Sequence, residues 1–186
     1  MTEFKHIVTA EEAGKSVKEL MRQHFTFSSR LMTKLKFQKL VYVNGEPVPG
    51  WVPTAAGDEI VVKLPEEASD FPPEDIPIHV VYEDNDILVI NKQPWVAVHP
   101  TKGKPNHTIA NGLMKKMYED EAAGTGHLYK IRFVNRLDMN TSGLMIIAKN
   151  SFAQEEIVKQ MRKNTVVKRY IAVETGEMPH DEGTID

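Results

Sequence analysis

The 186 residues, 41% hydrophobic and 26% charged, suffice for a real core in one large or two small globular domains. The absence of cysteine excludes disulfides, thiolate metal sites and cysteine nucleophiles together. No apolar run reaches the roughly 18 residues of a membrane helix, and Met1 to Val17 lacks the apolar stretch of a signal peptide, so a cytoplasmic location is expected.

The formal net charge of -3 averages over unlike blocks. Gly14 to Gly45 carries seven Lys or Arg against Glu19 alone, a balance of +6, and Pro65 to Asp86 carries eight acids with no Lys or Arg. His127 to Ala172 returns to +6 and the last fourteen residues to -5. The basic blocks read either as two anion-facing surfaces joined by an acidic connection or as solvated helix faces.

Ser16 and Glu19 have capping-box spacing, so a first helix is predicted there, with Val17, Leu20 and Met21 on one side and an end by Phe25. A second starts at Ser28 or Ser29 and runs to about Lys39; Leu31 and Leu35 recur at i, i+4, with Arg30, Lys34 and Lys36 on other faces. Val41-Tyr42-Val43 reads as a short strand closed by an Asn44-Gly45 turn, and Gly57-Asp58 turns the chain into a strand from Glu59 to Leu64. Four prolines among acids in residues 65–77 predict a linker, dividing the chain into 1–64, 65–77 and 78–186.

Beyond the linker, His79 to Tyr82 and Ile87 to Asn91 are β-type runs around Asp84-Asn85-Asp86. A helix follows from His107 to Tyr118, striped by Ile109, Leu113 and Met117, then a polar loop from Glu119 to Gly126. Strands at Ile131 to Val134 and Leu144 to Ala148, a helix opened by Ser151-x-x-Gln154, and a strand at Val166 to Glu174 complete the order. Strands and helices alternate without a βαβ fingerprint, so the expected class is α+β with a mixed sheet in the second part.

Two basic helices followed by a strand, an Asn-Gly turn and a Gly-Asp turn resemble the S4-type RNA-binding domain over residues 14–64, through Ser28-Ser29-Arg30, Lys34-Leu35, Val41 to Gly45 and Gly57 to Ile60. The resemblance implies RNA binding, with Arg30, Lys34 and Lys36 available to phosphates; such contacts set affinity and salt dependence rather than sequence choice.

The string Arg136-Leu137-Asp138-Met139-Asn140-Thr141-Ser142-Gly143 is similar to the Arg-Leu-Asp-x-x-Thr-Ser-Gly signature of RluA-type pseudouridine synthases, and six specified residues make the match specific. Upstream, Tyr82 to Lys92 and His99-Pro100 resemble the family's opening strand motif; downstream, Lys168-Arg169-Tyr170 resembles its Lys-x-Tyr motif. The resemblance implies isomerisation of uridine to pseudouridine: the N1–C1′ bond breaks, the uracil turns, and C5 rejoins the sugar. Asp138 is then the catalytic carboxylate, either as nucleophile or as the base that starts glycal formation. Arg136 is implied to pair with phosphate or fill the vacated stack and Tyr170 to offer an aromatic face to the flipped base, with Thr141 placed beside them as substrate-binding; the Thr141 and Ser142 hydroxyls are read as stabilising the loop through hydrogen bonds to its backbone. No cofactor or metal is expected. RNA is the implied partner, ribosomal RNA first and transfer RNA second, without a membrane.

Two departures stand out. Where the family usually has Pro-x-Gly after Lys92, this chain has Gln93-Pro94-Trp95, and Trp95 is read as a core aromatic or a substrate contact. The chain also stops at Asp186, whereas family catalytic domains continue through a Gly-Arg-x-His-Gln-Ile-Arg type motif that has no match here. The expectation is an incomplete catalytic domain, inactive alone and poorly stable, from an enzymatic parent; the alternative is a non-catalytic RNA-binding protein with a remnant synthase domain. His99 and His107 lack a third ligand at suitable spacing and are assigned packing or loop roles. Lys92 is read as an RNA contact or a solvated strand end.

Overall fold

In the computed structural model, residues 2–103 and 105–176 are described. The described residues build two four-stranded sheets, each with its own hydrophobic cluster, and every strand pair is antiparallel, so the second is not the mixed sheet expected. The first sheet has the order β1-β4-β2-β3, from β1 (Glu3–Ile7), β2 (Val41–Val43), β3 (Glu46–Pro47) and β4 (Glu59–Lys63). Strand β1 was not expected from the sequence; it pairs antiparallel with β4 from Glu3 opposite Lys63 to Ile7 opposite Glu59. Helices α1 (Val17–His24) and α2 (Ser29–Phe37) bury Val17, Leu20, Met21, Leu31 and Leu35 on this sheet.

The local signals act as read. Ser16 and Glu19 form the reciprocal capping box of α1, and Ser28 caps α2 by accepting from the Leu31 amide at 3.3 Å. Helix α2 stops at Phe37, short of Lys39, which takes a left-handed φ of 53°. Asn44 and Gly45, at φ 51° and 88°, form the turn that joins β2 to β3.

The second sheet has the order β5-β6-β8-β7, from β5 (Val80–Glu83), β6 (Ile87–Lys92), β7 (Arg132–Phe133) and β8 (Gly143–Ala148). Helix α3 (Ile109–Ala122) buries the predicted stripe of Ile109, Leu113 and Met117; it starts after His107 and takes up the first residues of the expected polar loop. Helix α4 (Ser151–Arg162) is capped one residue earlier than predicted: Asn150 accepts from the Ala153 amide at 2.9 Å. The expected strand from Val166 to Glu174 is absent. Its apolar residues Val167, Ile171 and Val173 are exposed, and among the described residues no strand pairs with it. β-propensity without a partner ladder leaves the backbone unsatisfied, so it does not make a strand.

Residues 65–77, read as a linker and domain boundary, run as a strap fastened along the second half. Ser69 Oγ accepts from the Ile131 amide at 2.9 Å, Pro72 O from Asn111 Nδ2 at 2.9 Å, and Pro77 O from Gln93 Nε2 at 3.1 Å. Prolines exclude a sheet or helix here, but their carbonyls still accept. The strap crosses α3 at Gly112, where a Cβ would lie 2.7 Å from Ile76 O and 3.0 Å from Ile76 Cβ. Gly112→Ala therefore sets a gain in helix propensity of about 1 kcal/mol against backbone overlap. The overlap wins, and a net loss of about 1–2 kcal/mol should lower the thermal midpoint by several degrees; an unchanged or raised midpoint would show that the strap does not bear on α3.

Glu67 joins the halves by pairing with Lys34 at 2.5 Å and with Arg132. Burial works against its charge, but these cations hold its carboxyl below the ordinary carboxylate value. Phe152 of α4 adds edge contacts to Phe4 and Phe27 at 4.8 and 5.8 Å.

Candidate active site

The Arg136 to Gly143 string forms most of the loop between β7 and β8, and its position is fixed from three sides. Asn135 at its start donates from Nδ2 to Leu144 O at 3.1 Å and accepts from the Ile146 amide at 2.8 Å, a side-chain imitation of strand pairing. Leu137 turns inward and joins the second hydrophobic cluster at 9% exposed. Asp138 O accepts from the Thr141 amide at 3.1 Å, closing a tight turn through Met139 and Asn140. Gly143, at φ 130°, makes the exit into β8 in a backbone region that other residues rarely enter.

The third anchor comes from β6. Lys92 is 0% exposed, which overturns both readings of it as an RNA contact or a solvated strand end. Its Nζ donates to Gln93 O at 2.9 Å, Met139 O at 3.1 Å and Thr141 O at 2.8 Å, using all three N–H donors. Burial lowers its pKa, and the nearby Asp138 carboxylate pulls the other way. Thus a buried cation lies beneath the turn that carries Asp138. The flanking Leu137 points into the core while Asp138 itself is exposed, as are Arg136 and Met139.

Thr141 lies within this turn and holds it through its amide and carbonyl, not through the expected hydroxyl bonds, which neither Thr141 nor Ser142 makes among the described residues; Arg136 stands two residues before Asp138. Tyr170 lies elsewhere, 67% exposed on the unpaired segment after α4; no hydrogen bond or ring contact ties it to the loop among the described residues. Trp95 is 71% exposed at φ 67°, so it is not a core residue. A bulky side chain in that left-handed region costs about 1 kcal/mol or more. His99 packs edge-on against Phe71 and Phe133 at 5.5 and 6.2 Å, and His107 Nδ1 pairs with Glu74 at 2.5 Å, so both serve the strap and its surroundings. On α2, Arg30 and Lys36 are exposed, whereas the charge of Lys34 is engaged by Glu67.

A cavity of about 520 Å³ lies away from this loop, lined by Glu67, Tyr129, Arg132 and Lys149 among others, and no residue from Val134 to Leu144 contributes to it. The candidate site is instead an open surface around an anchored turn.

The family model described as RNA pseudouridylate synthase matches residues 86–186, more than half of the chain and all of the Asp138 loop. The chain belongs to the RNA pseudouridylate synthase family. The model of the RluD ribosomal pseudouridine synthase N-terminal domain matches residues 4–60 of this synthase-family chain. Among relatives, the chain is 40% identical over 147 residues to the uncharacterized RNA pseudouridine synthase YlyB of Bacillus subtilis, covering 78% of this chain and 48% of that one. It is 40% identical over 155 residues to ribosomal large subunit pseudouridine synthase D of Pasteurella multocida, covering 81% and 45%. The identity is 34% over 187 residues to the synthase of the same name from Escherichia coli O6:H1, covering 96% and 54%. The chain spans about half the length of these curated relatives.

Proposed function

We propose that the whole protein isomerises uridine to pseudouridine in structured RNA, with Asp138 as the attacking carboxylate or the base that opens a glycal route. The observation that carries this is an exposed carboxylate on a turn whose backbone is held by a buried lysine, an inward leucine and an asparagine clasp. Such a group can meet a ribose without being consumed by internal pairing, and its fixed position supplies the orientation on which the rate depends. The reaction conserves atoms and electrons, so its chemistry draws on no cofactor.

Arg136 is exposed beside Asp138, within reach of a phosphate or the gap left by an everted base. Tyr170 offers a free aromatic face, suited to a ring that must turn while it is held. In this reading residues 1–64 are an S4-like RNA-holding domain, 65–77 its strap, and 78–186 part of the catalytic domain. Arg30 and Lys36 are the cations of α2 left for phosphates, with Lys34 contributing through its pairing to Glu67. Large-subunit ribosomal RNA is the first substrate candidate, as the names of the relatives suggest, and transfer RNA the second; a cytoplasmic location accords with either.

Pseudouridine mapping of ribosomal and transfer RNA from cells with and without the gene tests this. The expected result is the loss of signal at one or a few uridines. Unchanged maps, from a protein that still binds RNA, would reject catalysis and leave an RNA-binding protein with a remnant synthase domain.

A further inference from the structure

The N-terminal half holds a second group of chemistry-bearing side chains, unconnected with the catalytic reading. His6 lies on β1, Glu12 in the loop before α1, and His24 at the last position of α1. His6 Nε2 is 2.8 Å from Glu12 Oε2, and His24 Nε2 is 2.6 Å from Glu12 Oε1. The imidazoles stack with centroids 3.7 Å apart and 21° between planes, so both rings present Nε2 to one small volume. One ligand atom from each of the three residues lies within 4.8 Å of the others.

We propose that His6, Glu12 and His24 form a binding site for a divalent transition-metal ion of the zinc class. Two neutral imidazole nitrogens and one carboxylate oxygen are a ligand set such ions take, with bonds of about 2.0–2.2 Å. Ligand atoms around a tetrahedral ion at those lengths lie roughly 3.3–3.5 Å apart, so the present spacing needs only small side-chain rotations. The scaffold is rigid on each side. His6 is locked into β1 opposite Ile60, and His24 rides on a helix whose start is capped. Glu12 is 6% exposed, and the Thr9 amide donates to its Oε2 at 3.1 Å, the outer contact that orients a ligating carboxylate. The His24 side chain is 29% exposed, so the group meets solvent at this mouth.

Without a metal, the two rings can each donate from Nε2 to one carboxylate oxygen. One divalent ion instead engages both lone pairs and the anion together. Bound there, it ties β1, the loop and α1 into one unit, and binding free energy becomes folding stability.

Untagged whole protein is titrated with Zn²⁺ by calorimetry, with Co²⁺ as a spectroscopic stand-in. The expected results are one equivalent bound, visible absorption of a four-coordinate Co²⁺ centre, and a thermal midpoint that rises by several degrees with Zn²⁺. His24→Ala, at the exposed mouth, should weaken binding by about 100-fold or more and abolish the rise in midpoint that Zn²⁺ gives the parent. His6→Gln, which retains a polar side chain on β1, should do the same. Binding unchanged in both variants, or no saturable site in the parent, overturns the proposal and leaves a hydrogen-bonded His–Glu–His clasp.

Discussion

Asp138→Asn in the whole protein should abolish pseudouridine formation, lowering the rate by on the order of 10⁴-fold or more, while RNA affinity stays where it was. The separation follows from the site. Among the described residues the Asp138 side chain carries no hydrogen bond or ion pair; the turn is held through its backbone carbonyl, which accepts from the Thr141 amide, and through Leu137. An amide of nearly the same shape therefore leaves the loop intact and removes only the negative charge. That charge is what both routes need, to attack C1′ or to take a proton from the sugar. Single-turnover measurement on a uridine-containing ribosomal RNA fragment reads the chemistry, and filter binding reads the affinity. Turnover within tenfold of the parent would remove Asp138 from the reaction. Activity and affinity falling together would favour an RNA-binding role without catalysis.

The shape of the candidate loop could be read from residue order because its contacts are local. Asp138, Thr141 and Gly143 lie within six residues, and the turn they make depends on short-range contacts. The capping box at Ser16 and the turn at Asn44-Gly45 were legible for the same reason. Lys92 was missed although a signal was present. Leu88 and Ile90 face inward on β6, and continuing the two-residue period puts Lys92 on that side too, at 0% exposed. The expectation that lysines end in water outweighed the alternation. Strand β1 was missed because its inward set is only Phe4 and His6, too short and too polar to announce a buried face. The strap was read as a linker because proline and acid content report what cannot form helix or sheet, not what carbonyls can accept. The 166–174 run shows the converse, since strand propensity is realised only beside another strand.

The buried lysine also carries the second large effect. Lys92→Met keeps length and fills the space with an apolar side chain, which removes the cost of holding an ammonium out of water. Against that gain stand the carbonyls of Gln93, Met139 and Thr141, each within 3.1 Å of Nζ and each losing a charge-assisted bond. A buried acceptor left without a donor costs about 1–3 kcal/mol, so three outweigh one relieved desolvation and the net loss should be about 2–4 kcal/mol. Two of the three carbonyls belong to the turn that displays Asp138, so the stability loss falls on the proposed reacting group. A displacement near 1 Å lowers a rate by about 100-fold. The expected pattern is a kcat reduced by about that factor, a KM for RNA little changed, and a lower midpoint in urea. Measurements at a temperature where the variant is still folded separate the two losses. A folded variant with kcat within a few-fold of the parent would mean that the turn keeps its shape unaided, and that Lys92 is a packing residue whose charge the site does not use.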